Sequence, residues 1–187
     1  MLLKKILLIH SVLLFFAFSV IAGNPSKPNP NKEKVQWMSF EEAVEKSANG
    51  EKRKIFIDVY TDWCGWCKKM DATTFSHPEI AAYLNENYYP VKLDGERKDT
   101  VVVNEKTYVF VAEGRRGYHE LAAALMNGRM SYPTIVLLDE QFNMIQPIPG
   151  YRQAPELDEI LKYYGKDLHK QNVSFEDFKA NYDSPFE

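Results

Sequence analysis

The sequence predicts an α/β fold, a central β-sheet flanked by helices. Three observations carry that expectation. The run Ile55-Phe56-Ile57-Asp58-Val59-Tyr60 is short, apolar and rich in β-branched residues, and reads as a buried strand. Runs of the same kind recur from Tyr88 to Leu93 and from Thr134 to Asp139. Around them lie segments with helix start and stop signals, such as Ser39 with Glu42 at one end and Asn49-Gly50 at the other.

The elements follow in chain order. Lys4 and Lys5, the mostly apolar stretch Ile6 to Val20 and the small-residue end Val20-Ile21-Ala22 make residues 1–22 read as a secretory signal peptide. An uncleaved anchor is the alternative, but the apolar run is short for a span and is interrupted by His10 and Ser11. Residues 23–34, rich in Asn, Pro and Lys, are expected to be a flexible lead-in, with one domain over 35–187. A strand is expected at Val35 to Met38, then a helix to Asn49, then the strand ending at Tyr60. A helix should run from about Cys64 to Asp71, break between Thr73 and Pro78, and resume from Glu79 to Glu86. Tyr88 to Leu93 follows as a strand. Val101 to Val103 and Thr107 to Val111 then suggest a hairpin around Asn104-Glu105-Lys106. A helix from Tyr118 to Met126 should end at Asn127-Gly128, with Leu121, Ala124 and Leu125 on one face. Thr134 to Asp139 and Phe142 to Ile148 read as strands joined by a tight turn. Ala154 to Tyr164 reads as the last core helix, with Pro155 in its first turn. Residues 166–187 form a C-terminal helical extension, in which a helix from Ser174 to Tyr182 packs back through Phe175 and Phe178.

The chain has two cysteines, and they stand together as Cys64-Gly65-Trp66-Cys67 after the first buried strand. A thiol at a helix N-terminus meets unpaired backbone N–H groups and the positive end of the helix dipole, which stabilise the reactive thiolate. A zinc site would need about four ligands, and only His77 and His119 could complete one, so no metal is expected. A purely structural disulfide closing so short a loop would constrain the unfolded chain little. Redox chemistry at Cys64 and Cys67 is the expectation, with no cofactor beyond their own disulfide. Asp58, a carboxyl inside an apolar strand six residues before Cys64, is a candidate proton acceptor, because burial raises a carboxyl toward working pH.

The segment from Asp58 to Lys69, with Trp63 before the first cysteine, resembles the active-site stretch of the thioredoxin family. Tyr132-Pro133-Thr134 leading into Ile135-Val136-Leu137-Leu138 resembles that family's cis-proline loop and following strand. Lys92 resembles its strand lysine near the buried acid, and Gly150 the glycine between its last strand and last helix. The resemblance spans roughly residues 35–165. It implies a thioredoxin fold, with a mixed sheet and an insertion over about 95–131 before the cis-proline loop. It also implies Cys64 as the attacking thiol, Cys67 as the resolving thiol and Pro133 facing them. Trp63, Gly65, Trp66, Tyr132 and Thr134 would contact substrate, and Lys92 and Gly150 would support the site. Within the insertion, Tyr118-His119-Glu120 invites a catalytic reading; a capping or surface histidine is the plainer one. The insertion itself is either a partner-docking surface or a decorated sheet edge.

The formal charge of −3, or −5 once Lys4 and Lys5 leave with the signal segment, gives no argument for nucleic acid or for anionic membrane surfaces. Export implies a periplasmic or otherwise secreted location, an oxidising compartment where a thiol pair meets other proteins' disulfides. The function expected is protein thiol–disulfide exchange by a monomer, with no stable membrane association after signal cleavage. Gly65-Trp66 carries no histidine between the cysteines, which favours a reductase or isomerase fed by an inner-membrane electron donor over a strong oxidase. The alternative is a binding module or chaperone whose disulfide is structural.

Overall fold

A computed structural model describes residues 34–103 and 105–186. The signal-peptide expectation and, apart from Lys34, the lead-in lie outside the described residues. The first helix, α1 (Phe40–Asn49), starts where the sequence predicts: Ser39 Oγ accepts from the Glu42 N–H, and the Glu42 carboxylate accepts from the Ser39 N–H. Strand β1 (Lys54–Tyr60), helix α2 (Gly65–Met70), helix α3 (Pro78–Asn87) and strand β2 (Tyr88–Asp94) follow. Then come four short strands, β3 (Val101–Val103), β4 (Lys106–Tyr108), β5 (Phe110–Val111) and β6 (Tyr118–His119). Helix α4 (Glu120–Leu125), strands β7 (Thr134–Leu138) and β8 (Met144–Pro149), and helices α5 (Ala154–Gly165) and α6 (Phe175–Asn181) complete the chain.

The sheet is mixed, in the order β2-β1-β7-β8, with β1 parallel to β2 and antiparallel to β7. Alternation along β1 and β7 separates two cores. Ile55, Ile57, Val59, Val136 and Leu138 face α1 and α4, and meet Phe40, Ala43, Leu121 and Leu125. Phe56, Ile135 and Leu137 face the other way, toward Met70, Phe75, Ile80, Leu84, Leu157 and Leu161 of the α2, α3 and α5 side. Asp58 follows Phe56 by two and therefore shares this second face. The sheet's edges are blunted. On β8, Pro147 and Pro149 lack the N–H groups that another strand would need. On β2, Met38 donates its N–H to the Pro90 carbonyl at 3.0 Å and accepts from the Lys92 N–H at 3.1 Å.

Four expectations change. Val35 to Met38 makes a single parallel bridge, Met38 to Val91, instead of a strand. The break after Asp71 is a π-helical turn, Asp71–Phe75, that carries the α2 backbone onward and turns Thr74 and Phe75 inward. The segment Thr107 to Val111 splits at Val109: its first half pairs with β3, but Phe110 and Val111 pair with Tyr118 and His119. The helix expected from Tyr118 starts at Glu120, because Tyr118 and His119 are held in that second ribbon. Helix α4 also belongs to the core, covering the sheet beside α1. Neither of the two ribbons before it joins the main sheet. The C-terminal helix packs back through its aromatics: Tyr163 of α5 lies 5.2 Å from Phe175 and 5.6 Å from Phe178, centroid to centroid.

Candidate active site

Cys64 and Cys67 are joined as a disulfide, with Cα atoms 5.3 Å apart. Cys64 is the N-cap of α2, and its Sγ accepts from the Cys67 N–H at 3.0 Å. In the reduced protein this donor and the helix start favour a thiolate on Cys64. Both cysteines are largely covered, Cys64 at 5% exposure and Cys67 at 2%. What stands out to solvent instead is the aromatic pair around them, Trp63 at 49% and Trp66 at 57%. Trp66 leans on Tyr151, centroids 5.4 Å apart, with the Lys69 ammonium 4.8 Å from its ring centre. Gly65 opens α2, and a Cβ there would meet nothing within 4 Å.

Asp58 is buried, and β2 brings Lys92 directly opposite it in the parallel register. Lys92 Nζ donates to Asp58 Oδ2 at 2.6 Å, whereas Asp58 Oδ1 is buried with no hydrogen-bond partner. Burial pushes the Asp58 carboxyl up to about 6, and Lys92 tempers the rise. A second carboxylate, which the sequence reading missed, shares the same ammonium: Asp71, the first residue of the π-helical turn, also accepts from Lys92 Nζ. The ammonium is ringed by Trp37 and Tyr60 at 5.0 Å and Phe75 at 5.3 Å. Burial works against the Lys92 charge, but Asp58 and Asp71 outweigh it and hold the ammonium above the usual lysine range. A cleft of about 540 Å³, lined by Lys34, Trp37, Asp71, Phe75 and Lys92 among others, gives solvent a way to this group from the Asp71 side.

Asp71 adds negative charge near Asp58 and competes for the Lys92 ammonium. Asp71→Asn is therefore expected to lower the Asp58 pKa. The acidic inflection in the pH–rate profile of thiol exchange should move below about pH 6, and Lys92→Met should move it the other way. Stopped-flow rates from pH 4 to 8 check both directions.

The Tyr132-Pro133 peptide is cis. The loop is tied down on both sides: Gly150, at φ 93°, donates its N–H to the Pro133 carbonyl at 2.8 Å, and Thr134 Oγ1 donates to the Ser131 carbonyl at 2.7 Å. Thr134 is buried, and its hydroxyl braces the loop. Tyr132 stacks edge-on against Trp63, centroids 5.9 Å apart, and lies over Gly95, where a Cβ would sit 2.4 Å from the phenol oxygen. Burial, with Glu96 and Asp94 behind it, pushes the Tyr132 phenol up to about 12.

His119 is not on the surface. It is fully buried; its Nδ1 accepts from the Leu121 N–H at 3.2 Å as the cap of α4, and its Nε2 lies 3.0 Å from the Asp99 carbonyl. The capping half of the plainer reading holds and the surface half fails, because β6 presses the ring between the ribbons and the core. Arg116 is exposed and lies 4.3 Å from the Trp63 ring centre, so the ribbons do reach the cysteine neighbourhood. Among the described residues no group of His, Cys, Asp and Glu is placed to hold a metal ion, and no helix is long and apolar enough to cross a membrane. The redox group of the site is its own disulfide.

Known proteins resemble this chain. The chain is 29% identical over 87 residues to the thiol:disulfide interchange protein DsbD of Haemophilus ducreyi, covering 39% of this chain and 15% of that one. It is 25% identical over 84 residues to an uncharacterized protein of Caenorhabditis elegans, of which it spans 12%. Among solved structures, DsbH oxidoreductase superposes with a TM-score of 0.52 at 18% identity, over 78% of this chain and 94% of that one. A thioredoxin from Thermus thermophilus superposes with a TM-score of 0.51 at 18% identity, over 70% and 87%. The two structures share the fold with this chain. The family model Thioredox_DsbH, described as a protein of unknown function (DUF255), matches residues 28–145, well over half the sequence. The chain belongs to that family and lies within the thioredoxin superfamily.

Proposed function

We propose that this chain is a protein thiol–disulfide oxidoreductase that works through Cys64 and Cys67 in an oxidising compartment outside the cytoplasm. The observation that carries the reading is the Cys64–Cys67 disulfide at a helix start, in a fold that sets a buried carboxyl, Asp58, on the face packed against that helix's far end. In the reduced form, the Cys64 thiolate attacks one sulfur of a substrate disulfide. A mixed disulfide forms, and the other substrate sulfur leaves as a thiolate. Cys67 gives its proton to the Asp58 carboxylate and attacks Cys64 Sγ. The Cys64–Cys67 disulfide re-forms and the second substrate thiolate departs. The substrate gains two electrons, and the protein loses them; a dithiol donor must return them.

The direction in use is that of a reductase or isomerase. Gly65-Trp66 supplies no histidine to stabilise the Cys64 thiolate further, and a thiolate held only by the helix start leaves the disulfide less oxidising. A dithiol protein at the inner membrane fits the donor role. The chain spans only 12–15% of the length of the Caenorhabditis elegans and Haemophilus ducreyi relatives, so their whole-protein roles enter here only as part of this proposal. Reduction of insulin disulfides by the purified protein with dithiothreitol tests the proposal. Turnover well above dithiothreitol alone is expected. A rate equal to dithiothreitol alone would leave a binding module with a structural disulfide as the better reading.

A further inference from the structure

We propose that the cleft between Trp63 and Tyr132 receives a lysine or arginine side chain next to the reactive cysteine of an extended protein substrate. The inference rests on the exchange reading above and names which substrates that site prefers. The cleft holds about 590 Å³ and is lined by Trp63, Glu96, Glu113, Tyr118, Met130 and Tyr132 among others. Two of its walls adjoin the two parts of the exchange site: Trp63 precedes Cys64, and Tyr132 precedes Pro133. A polypeptide whose cysteine reaches Cys64 along the proline loop would lay a neighbouring side chain over this opening.

The walls suit a cation. Aromatic faces attract positive charge through their quadrupoles, and carboxylates beside them add charge-assisted hydrogen bonds. Two of the lining residues are glutamates, and none is a lysine or arginine. Glu96 Oε1 accepts from Trp63 Nε1 at 2.9 Å, which anchors ring and carboxylate together. Asp94 and Asp62 stand close enough to act on each other and, in the case of Asp94, on Tyr132, which extends the negative field. Cations also stand nearby, Arg115 and Arg129 beside lining residues in the sequence among them. Lys98 Nζ sits over the Phe110 ring, and Arg97 is engaged by Glu41 and Asp99.

Arg116 is the most direct observation. Its guanidinium lies 4.3 Å from the Trp63 ring centre, on a turn between Gly114 and Gly117, both at positive φ. The ring thus already carries a guanidinium from this chain. A substrate cation would take the same face, and Arg116 would move aside as an internal stand-in. An opening that recognised shape alone would be indifferent to charge.

The test uses the full mature protein, reduced beforehand. Its second-order rates are measured with three disulfide peptides that differ only in one residue beside the cysteine: lysine, leucine or glutamate. The lysine peptide is expected to react about five- to tenfold faster than the glutamate peptide at low ionic strength, with leucine between. Glu96→Gln with Glu113→Gln should bring that ratio within about twofold, and Arg116→Ala should raise it. Should the double variant not fold, compression of the wild-type ratio by salt gives the same reading. Equal rates, a preference for glutamate, or a ratio unmoved by both salt and charge removal would overturn the cleft proposal. Neutral hydroxyethyl disulfide separates the two layers. If it is reduced while the peptides show no preference, the cleft alone fails; if it and the peptides are all inert, the exchange reading has failed and takes the cleft with it.

Discussion

Cys64→Ser is expected to reduce insulin-disulfide reduction to the rate of dithiothreitol alone, while Cys67→Ser accumulates mixed disulfides with substrate proteins. The asymmetry follows from position. Cys64 caps α2 and has the Cys67 N–H aimed at its sulfur, so it is the thiol best stabilised as a thiolate. Cys67 lies inside the helix at 2% exposure and is poised to attack Cys64. Without Cys67 the mixed disulfide has no internal resolving thiol, and it survives until an external thiol finds it. Non-reducing electrophoresis of each variant incubated with an oxidised substrate reads the difference. Trapping by Cys64→Ser instead would reverse the two roles.

Asp58→Asn should slow turnover by roughly 100-fold at neutral pH, the low end of what a positioned general base contributes. The same variant should be more stable than the parent. Burial raises Asp58 from 3.8 to about 6, so the folded protein binds this proton more readily than the unfolded chain. The corresponding stability is full below about pH 4 and is lost as pH rises through about 6. At pH 7–8 the native protein carries a buried charge that asparagine lacks. Removing it should add about 1–2 kcal/mol, less than a two-unit shift alone implies, because Lys92 gives up one of its two carboxylates. Urea unfolding at pH 4 and pH 8 checks this: the gain should appear at pH 8 and shrink at pH 4. A variant less stable than the parent at pH 8 would mean that the Asp58–Lys92 pair is a net structural support. An unchanged pH–rate profile would remove Asp58 from proton transfer.

Much of the architecture was legible because its signals are local. The Ser39–Glu42 box, Pro155 in the first turn of α5 and the β-branched run of β1 each specify their element without help from distant residues. The cysteine pair, Trp63 and Lys92 were legible as a resemblance. The rest depends on pairings between remote segments. Phe110 and Val111 read like a continuation of β4, and only Tyr118 and His119 coming alongside decide otherwise. His119 reads as a capping or surface residue, and only the ribbons closing over it decide that the cap is buried. Asp71 carries no motif; an acid just beyond a short helix is unremarkable until the π-helical turn swings it onto Lys92. The same distance in sequence hid the joint wall that Glu96 and Met130 make with Trp63.

The prolines of β8 have a bearing on the company this protein would keep. A catalyst of disulfide exchange spends its time among incompletely folded chains, whose bare backbones seek any sheet that will lengthen. Pro147 and Pro149 sit opposite Val136 and Thr134 and present no donors on the outer side. At the opposite margin, Met38 already occupies the hydrogen bonds at Pro90 and Lys92. A client strand arriving at either margin therefore finds poor footing for templated growth. On the exchange reading proposed above, neither margin offers a client strand a ready template.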